Sequence, residues 1–328
     1  MKQKILIARA TFPDIIDRLE EYFIVERNVT DVRYTHAQLC EKLRDKSGAI
    51  LMGGERIDQA VLDAAPELKA VSNCAAGYNN FDLDALTRAG VIATNTPYVS
   101  NESVADMAWA LMLAASRRIV EADAFVRSDA WQGFAYNLFL GVDLHGSTLG
   151  IIGMGGIGQA IARRATGFGM RTLYYNRSRL PASIEDACHA TAASKEDLLR
   201  ESDHVILMLP YSAQAHHTIG APELALMKRT AVLVNIARGG IVDDAALAQA
   251  LSEGRIAAAG LDVVEGEPQV HPALKKLPNV VLTPHIGSAT TMTRRALANL
   301  AVDNLIAAMG HGPSAGNPPS ILNPEVLK

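Results

Sequence analysis

The segment between residues 149 and 165 restricts the possible folds of this chain more than any other. Its centre, residues 153–158, has the sequence Gly-Met-Gly-Gly-Ile-Gly, which follows an apolar run, 149–152, and precedes a helical pattern, 159–165. In a strand-turn-helix unit the first glycine of G-x-G-x-x-G permits a tight turn, the second lets the backbone approach a pyrophosphate, and the third allows close helix packing. The helix N-terminus adds free N–H groups and a positive dipole. The segment therefore predicts a dinucleotide site in a parallel α/β sheet.

Short apolar runs alternate with helical patterns twice along the chain, through the first hundred residues and again from residue 148 to residue 287. This alternation predicts βαβ units, which form parallel sheets. The runs of the second series are almost continuously apolar, as is typical of strands covered on both faces. Residues 102–128 predict one long helix that could bridge two domains, and residues 293–309 predict a further amphipathic helix.

The length of 328 residues exceeds what a single core usually supports, so two domains are expected. Both are predicted to be α/β, each a Rossmann-like, doubly wound parallel sheet. Because the second series is flanked by other residues on both sides, the smaller domain is expected to be discontinuous. We therefore predict a substrate domain from residues 1–100 and 289–328, and a dinucleotide-binding domain from residues 101–288.

The composition excludes several classes of protein. A formal net charge of -4 provides no basic excess for phosphates or anionic lipids, so neither nucleic acid nor a membrane is expected as a partner. Cys40, Cys74 and Cys188 are too far apart for a Cys-x-x-Cys pair or a disulfide framework, which favours a reducing cytoplasm. His216 and His217 have no i, i+4 spacing and no nearby cysteine or carboxylate cluster, so no metal site is expected.

Three charged or titratable residues follow apolar runs of the second series: Arg238, Glu267 and His285. In an open α/β sheet, ligands bind outside the carboxyl ends of the strands, so these side chains are expected to share one site. Each residue alone could equally be a surface charge or a turn residue, and their joint position beside a dinucleotide motif is what favours catalysis. Reduction of a 2-keto acid requires a cation for the carboxylate or carbonyl, an acid for the nascent alkoxide, and a group that keeps this acid charged.

The residues after the next apolar run affect the choice of dinucleotide. Eighteen residues after Gly158, where an NAD-specific site usually offers an acid to the ribose hydroxyls, the chain has Asn176, followed by Arg177, Ser178 and Arg179. No carboxylate would repel a 2′-phosphate here, and guanidinium and hydroxyl groups could bind one. The two arginines could instead be solvated surface charges. The segment favours NADPH over NADH.

These features together resemble the D-isomer-specific 2-hydroxyacid dehydrogenase family. The glycine motif, the ARGG segment around Arg238, LDV-x-x-x-EP around Glu267 and TPHIG around His285 occur in the family's order. The resemblance covers nearly the whole chain. The segments AAGYNNFD, ESVADMAWALMLAASRR, NLIAAMG and NPEVL are most similar to bacterial glyoxylate/hydroxypyruvate reductases, which are also described as 2-ketogluconate reductases.

The resemblance implies catalytic and substrate-binding roles for residues that match the family's motifs. Arg238 is expected to bind substrate, and His285 to donate a proton while it is paired with Glu267. Backbone N–H groups around Ala76 and Gly77 are expected to hold the substrate carboxylate. Relatives commonly have a tryptophan facing the pocket where this chain has phenylalanine. The implied substrate-binding residues are Ala76, Gly77, Phe139, Arg238 and His285.

The resemblance also implies a cofactor cleft and a homodimer. Val104 is expected to pack near the nicotinamide, whereas Ile236, Asp262 and Ser288 are expected to line the cleft. The complete predicted cofactor set is Val104, Gly153, Gly155, Gly156, Ile157, Gly158, Asn176, Arg177, Ser178, Arg179, Leu209, Pro210, Ile236, Ala237, Arg238, Asp262, His285 and Ser288. The homodimer is expected to form through the cofactor domain and its long helix.

The function expected from these residues is hydride transfer from NADPH to a small 2-keto acid such as glyoxylate, hydroxypyruvate or 2-ketogluconate. A different class of protein remains as an alternative, because some binding proteins of this fold sense a dinucleotide and act through partners without significant turnover. The chain has no segment that resembles the partner-binding extensions of such proteins. Turnover on a panel of keto acids distinguishes the two functions.

Overall fold

The computed structural model describes residues 2–327, in which most strands are followed by a helix. The strands are β1 (Lys4–Ile7), β2 (Ile24–Arg27), β3 (Gly48–Leu51), β4 (Ala70–Asn73), β5 (Ile92–Thr94), β6 (Thr148–Ile152), β7 (Arg171–Tyr175), β8 (Ala190–Ala192), β9 (His204–Leu207), β10 (Val232–Asn235), β11 (Ala258–Leu261) and β12 (Val280–Leu282). The α-helices are α1 (Pro13–Glu20), α2 (His36–Leu43), α3 (Gln59–Ala64), α4 (Leu83–Arg88), α5 (Asn101–Ser116), α6 (Ile119–Arg127), α7 (Gly156–Ala165), α8 (Ala182–Cys188), α9 (Lys195–Glu201), α10 (Ala221–Leu226), α11 (Asp244–Ser252) and α12 (Thr291–Ala308). Short 3-10 helices span Thr166–Phe168, Leu274–Lys276 and Pro324–Leu327.

The chain divides into two compact units, which we call unit 1 and unit 2. Unit 1 contains the residues up to Ser100 together with those from Thr290 onward, and unit 2 is Asn101–Ala289. Unit 1 is therefore discontinuous, and α12 returns to it to pack against β3, β4 and α1. The predicted fold class, two parallel-sheet α/β domains, is confirmed.

Unit 1 is built on a five-stranded parallel sheet in the order β2-β1-β3-β4-β5. Helices cover both faces, as in a doubly wound sheet. One face is covered by α2, α3 and α4, with Leu43 and Leu86 in its core. The other face is covered by α1 and α12, with Leu19 and Leu305 in its core. The apolar character of the strands on both faces follows from this double cover.

Unit 2 is built on a seven-stranded parallel sheet in the order β12-β11-β10-β9-β6-β7-β8. From β6 the chain builds outward to β7 and β8, and it then returns to β9 on the other side of β6 and builds outward to β12. The strand order therefore reverses between β6 and β9, and such a switch point is where open α/β sheets bind ligands at the carboxyl ends of their strands. Helices α9, α10 and α11 contribute to the core on one face, and α5, α7 and α8 contribute to the core on the other.

The single long helix predicted over residues 102–128 is wrong, because the structure has two helices there. Helix α5 ends at Ser116, and Arg118 has a left-handed backbone (φ 53°) before α6 begins. The carbonyl of Ser116 accepts a hydrogen bond from the N–H of Val142 at 3.0 Å, and a carbon on Gly141 would lie 2.2 Å from this carbonyl oxygen. The returning chain therefore occupies the position that a continued helix would need. Apolar spacing alone could not show this, because the apolar residues of α6 are exposed or half-buried.

The last helix is found close to its predicted position but begins two residues earlier. The Thr290 hydroxyl accepts a hydrogen bond from the N–H of Thr293 at 3.1 Å and so caps α12. Within residues 2–327, no helix combines the length and the apolar character that crossing a membrane requires.

Candidate active site

Three neighbouring strands of unit 2 end at the same edge of the sheet, which we call the carboxyl edge. Arg238 follows β10, Glu267 follows β11 and His285 follows β12. These strands lie side by side and run parallel. The topology therefore brings the three predicted catalytic residues to one edge, where ligands of α/β sheets bind.

His285 and Glu267 form a hydrogen-bonded pair at this edge. Nδ1 of His285 lies 2.9 Å from Oε2 of Glu267. The second carboxylate oxygen, Oε1, accepts a hydrogen bond from the N–H of Val264 at 3.2 Å. Because Nδ1 is engaged, Nε2 is the nitrogen that His285 can offer to a ligand, and the side chain is 51% exposed.

The charges around Glu267 keep its carboxyl ionised. Burial alone would raise the pKa of Glu267, but the hydrogen bond and charge of His285, the N–H of Val264 and the charge of Arg238 lower this pKa below its ordinary value. Burial lowers the pKa of Arg238, and the negative charge of Glu267 opposes that shift. One carboxylate thus interacts with both Arg238 and His285.

Asp262 holds the loop that carries His285. Its Oδ1 accepts hydrogen bonds from the hydroxyl of Thr283 at 2.6 Å and from the N–H of Ile286 at 2.8 Å. Its Oδ2 accepts a hydrogen bond from the N–H of Gly287 at 2.8 Å. This buried carboxylate fixes a loop in which His285 has a left-handed backbone (φ 55°). Sequence reasoning placed Asp262 in the cofactor cleft and missed its role in holding the histidine loop.

A contact between two backbones positions Arg238 relative to Glu267. The carbonyl of Arg238 accepts a hydrogen bond from Nδ2 of Asn235 at 3.1 Å, which closes the loop after β10. The next residue, Gly239, lies so close to Val264 that an added carbon would be 1.9 Å from its carbonyl oxygen. Only glycine permits this approach, so the ARGG segment allows the loops after β10 and β11 to touch.

The glycine turn after β6 has the shape that a dinucleotide pyrophosphate needs. A carbon on Gly153, which has φ 105°, would lie 2.5 Å from the carbonyl of Met208 at the end of β9. A carbon on Gly158 would lie 2.4 Å from the oxygen of Gly153, whereas one on Gly155 would meet nothing within 4 Å. Gly155 therefore faces open space at the start of α7, where no side chain caps the helix N-terminus. The turn lies at the switch point between β6 and β9, and it fits a nicotinamide dinucleotide.

Asn176 follows β7 and supports the glycine turn. Its Oδ1 accepts a hydrogen bond from the N–H of Met154 at 2.7 Å. Arg177 and Ser178 are exposed beyond it. Arg179 makes two hydrogen bonds to Glu185, at 2.9 and 2.8 Å. Arg179 and the hydroxyl of Tyr174 together lower the pKa of Glu185 to about 2.

Two predicted substrate-binding residues, Ala76 and Gly77, lie in unit 1 after β4. Their carbonyl oxygens accept hydrogen bonds at 2.7 Å from the side chains of Asn95 and Asn73, respectively. Within the part of the chain that the structure describes, their N–H groups donate to no protein acceptor. These two amides are therefore available to an anion.

Within unit 2, the fold does not place Phe139 beside the three charged residues of the carboxyl edge. Its ring packs edge-on against Phe125 of α6, with centroids 5.3 Å apart. The guanidinium of Arg118 lies 5.0 Å from the same ring. Phe139 thus belongs to the segment around α6 in this structure.

The other predicted cofactor residues lie around the glycine turn and the carboxyl edge. Leu209 follows β9, and its nitrogen would be 2.8 Å from a carbon on Gly153. Ile236 and Asp262 both border Gly287, which precedes Ser288. The side chains of Val104 and Ile157 pack against the core of unit 2. Ser288 is half-buried, Pro210 is exposed and Ala237 is buried.

The expectation that no carboxylate lies near His216 and His217 is wrong. The loop after β9 carries both histidines, and the turn after β11 brings Glu265 within 3.1 Å of His217 Nε2. Glu265 is 48 residues away in the chain, so local spacing could not indicate this contact.

Known proteins resemble this chain along its whole length. Residues 109–287 match the family model described as D-isomer specific 2-hydroxyacid dehydrogenase, NAD binding domain. A glyoxylate reductase of Thermococcus gammatolerans is 49% identical over 332 residues, which cover 100% of this chain and 98% of that relative. The chain belongs to the D-isomer-specific 2-hydroxyacid dehydrogenases.

Solved structures of this family share the fold. A crystal structure of an NADPH-dependent glyoxylate/hydroxypyruvate reductase from Sinorhizobium meliloti, in complex with NADP and malonate, has a TM-score of 0.86 at 34% identity and covers 98% of this chain and 97% of that chain. A glyoxylate reductase from Paecilomyes thermophila has a TM-score of 0.86 at 34% identity and covers 99% of each chain. The family predicted from the motifs is confirmed, and this dehydrogenase is an NAD(P)-dependent oxidoreductase.

Proposed function

We propose that this dehydrogenase reduces small 2-keto acids to D-2-hydroxy acids. Glyoxylate and hydroxypyruvate are the main candidates, and 2-ketogluconate is a third. The proposal rests on the hydrogen-bonded pair of His285 and Glu267 beside Arg238, at the carboxyl edge of a sheet with a dinucleotide-type glycine turn. The names of the relatives from Thermococcus gammatolerans and Sinorhizobium meliloti support this choice of substrates.

Each residue of the trio has a distinct chemical task in this proposal. A bound nicotinamide dinucleotide supplies the hydride that reduces the carbonyl carbon. Arg238 binds the carboxylate or carbonyl oxygen of the substrate through its planar guanidinium. His285 donates the proton of Nε2 to the oxygen that becomes the hydroxyl, and Glu267 orients the ring through its contact with Nδ1.

We further propose that the preferred dinucleotide is NADPH. Asn176 replaces the acid that would repel a 2′-phosphate, and Arg177 is exposed next to it. Arg179 is engaged by Glu185, so Arg177 is the guanidinium that is available without breaking an ion pair. Within unit 2, the glycine turn and the residues predicted around it are proposed as the cofactor site, and unit 1 is proposed as the substrate domain.

In unit 1 we propose that the N–H groups of Ala76 and Gly77 bind a carboxylate. Two amides that find no acceptor within residues 2–327, in a loop where the carbonyls of the same two residues are engaged, form a suitable anion site.

A homodimer formed through unit 2 is also proposed. Large apolar side chains are exposed along α6 and the segment that follows it. They are Ile119, Val120, Val126, Trp131, Phe134, Tyr136, Leu138 and Leu140. Exposed apolar side chains concentrated in one segment mark protein interfaces, and Phe134 is 91% exposed in the single chain.

The cytoplasm is the proposed location. Cys40, Cys74 and Cys188 are free thiols in the structure, which suits a reducing compartment.

Steady-state kinetics on a panel of keto acids test the proposed function. Glyoxylate, hydroxypyruvate, 2-ketogluconate, pyruvate and a branched keto acid are each assayed with NADPH and with NADH. We expect the highest kcat/KM for glyoxylate or hydroxypyruvate with NADPH, and light scattering is expected to give a dimer mass. Negligible turnover on the whole panel, together with tight dinucleotide binding, would instead support a sensing role. A preference for the branched acid would overturn the substrate assignment.

A further inference from the structure

Two neighbouring histidines and a distant glutamate converge on one point of unit 2. The rings of His216 and His217 are stacked, with centroids 3.8 Å apart and planes inclined by 22°. Nε2 of His217 lies 3.1 Å from Oε2 of Glu265, and Nε2 of His216 lies 4.0 Å from Oε1 of the same carboxylate. Adjacent side chains can point the same way here because His217 has a left-handed backbone (φ 50°).

The outward nitrogens of both rings face oxygen atoms. Nδ1 of His216 lies 3.3 Å from the hydroxyl of Tyr211, and Nδ1 of His217 lies 3.8 Å from Oδ2 of Asp243. Histidines that bind a metal through one nitrogen usually have the other nitrogen oriented by an oxygen of a carboxylate, carbonyl or water. Both rings therefore present Nε2 inward while their other nitrogen is supported from outside.

We propose that His216, His217 and Glu265 form a binding site for a divalent first-row transition ion of the Zn²⁺ class. Two imidazoles and a carboxylate match the ligand preference of Zn²⁺, Co²⁺ and Ni²⁺. The candidate ligand atoms all lie within 4.8 Å of one another. Zinc bonds of about 2.0–2.1 Å in a tetrahedron place ligand atoms roughly 3.3–3.5 Å apart, so side-chain adjustments of up to about 1.5 Å close the site.

Direct contact with Glu265 does not explain the position of His216. A hydrogen bond to Glu265 accounts for the position of His217, but the 4.0 Å separation of His216 from this carboxylate is too long for one. The contact with Tyr211 engages the other nitrogen of His216, which leaves Nε2 free to bind an ion shared with His217 and Glu265. The side chains are 41%, 35% and 41% exposed for His216, His217 and Glu265, which leaves room for water as the fourth ligand.

An ion here would link the loops after β9 and β11, and hydrogen bonds join both of these to the segment after β10. The N–H of His217 donates to the carbonyl of Gly240 at 2.8 Å. The N–H of Glu265 donates to Oδ2 of Asp244 at 3.0 Å. These hydrogen bonds connect the site to the loop that carries Arg238. None of the three proposed ligands belongs to the proposed catalytic trio. Bound metal should stabilise this arrangement, because it binds the folded chain and not the unfolded one.

Metal titration of the full-length, tag-free and chelator-treated protein tests the site. Zn²⁺ binding is measured by calorimetry and Co²⁺ binding by visible absorption, in the wild type and in His217→Asn and Glu265→Gln. Asparagine is chosen because it tolerates the left-handed backbone at position 217. We expect one ion per chain, a tetrahedral Co²⁺ spectrum, and at least a tenfold loss of affinity in each variant.

Two control variants make the result specific. His145→Asn alters an exposed histidine elsewhere in unit 2 and should leave the affinity within twofold. His285→Asn removes the histidine of the other His–Glu pair and should do the same. Equal Zn²⁺ affinity in the wild type and in both ligand variants would overturn the proposal, and so would a loss of binding that follows His285 alone. Circular dichroism confirms that each variant is folded. The measurement involves no turnover, so its failure would leave the proposed reaction untouched.

Discussion

A carbon placed on Gly239 would lie 1.9 Å from the carbonyl oxygen of Val264. The loop after β10 and the turn after β11 are therefore in direct backbone contact. Arg238 directly precedes this glycine, and the turn that begins at Val264 leads to Glu267. The separation between the arginine and the carboxylate thus depends on a residue without a side chain.

The first prediction is that Gly239→Ala damages activity far more than folding. The two loops must separate to admit a methyl group, and a displacement of about 1 Å in a catalytic group can lower the rate about 100-fold. Overpacking of this kind typically costs about 1–3 kcal/mol of unfolding free energy. Steady-state kinetics and urea denaturation measure the two effects. Gly167→Ala is the control, because a carbon there would meet nothing within 4 Å; kinetics of Gly239→Ala equal to those of this control would contradict the prediction.

The strand ends and the glycine turn could be predicted from the sequence because they are local. Apolar runs mark β6 and β10 to β12, and the residue that follows a parallel strand lies at a known edge of the sheet. The positions of Arg238, Glu267 and His285 at this edge could be predicted from that rule, without knowledge of distant contacts. The pairing of His285 with Glu267 came from the family resemblance.

The contacts that hold the loops of the site in place could not be predicted from the sequence, because they join residues that are far apart in the chain. Asp262 binds the backbone of the loop containing His285, and Glu265 meets the histidines after β9. The end of α5 at Ser116 is likewise set by a returning chain at Val142. Periodicity reports which residues are apolar, and it does not report which backbone will occupy a given space.

The second prediction concerns the pH dependence of Glu267→Gln. The charge of His285 lowers the pKa of Glu267, so the ionised carboxylate and the protonated ring stabilise each other. A neutral amide no longer provides that charged partner, so the reduction rate of the variant should fall and its dependence on pH should change. Glu253→Gln, at an exposed position of the same unit, is the matched control. Superimposable profiles of wild type and Glu267→Gln between pH 5 and 9 would separate the carboxylate from the histidine.

The third prediction is that Arg238→Lys is costly although it preserves the charge. A planar guanidinium can hold a carboxylate and a carbonyl in one orientation, whereas an ammonium group acts as a point charge. Both kcat and KM should worsen, with kcat/KM lower by about 10²-fold or more. Arg255→Lys, an exposed arginine whose guanidinium donates to the carbonyl of Ala225, serves as the control. Wild-type kinetics of Arg238→Lys would exclude this residue from substrate binding.

The fourth prediction concerns the stability of unit 2 in acid. His204 is fully buried between Ser116 and Ser147, at 3.1 and 3.2 Å. Burial lowers the pKa of His204 from 6.5 to about 4. In the unfolded chain this group takes up its proton from about pH 6.5 downward, and in the folded chain only near pH 4. The stability that its neutral form provides above pH 6.5 is therefore lost as the pH falls from 6.5 to 4, by roughly 3 kcal/mol.

Replacement by glutamine tests this assignment. His204→Gln keeps a neutral polar group that can bond to both serines but cannot take up a proton. Urea denaturation of this variant should show a shallower loss of unfolding free energy between pH 6.5 and 4 than the wild type shows. His145→Gln alters an exposed histidine and should retain the wild-type slope. An unchanged slope in His204→Gln would assign the acid sensitivity to other groups.

The last prediction is a preference for NADPH that depends more on Arg177 than on Arg179. Arg177 is exposed and makes no ion pair within residues 2–327, whereas Arg179 is held by Glu185. Hydrogen bonds to charged groups contribute about 1.5–3 kcal/mol, so NADPH should bind roughly tenfold to a hundredfold more tightly than NADH. Arg177→Ala should remove most of that difference and Arg179→Ala little of it.

Asn176→Asp combined with Arg177→Ala should reverse the preference, because a carboxylate repels the 2′-phosphate and accepts hydrogen bonds from free ribose hydroxyls. Fluorescence titration of both dinucleotides against these variants measures the effect, with Arg171→Ala, an exposed arginine at the start of β7, as the control. Tighter binding of NADH by the wild type would refute the preference and leave the proposed roles of His285 and Glu267 intact.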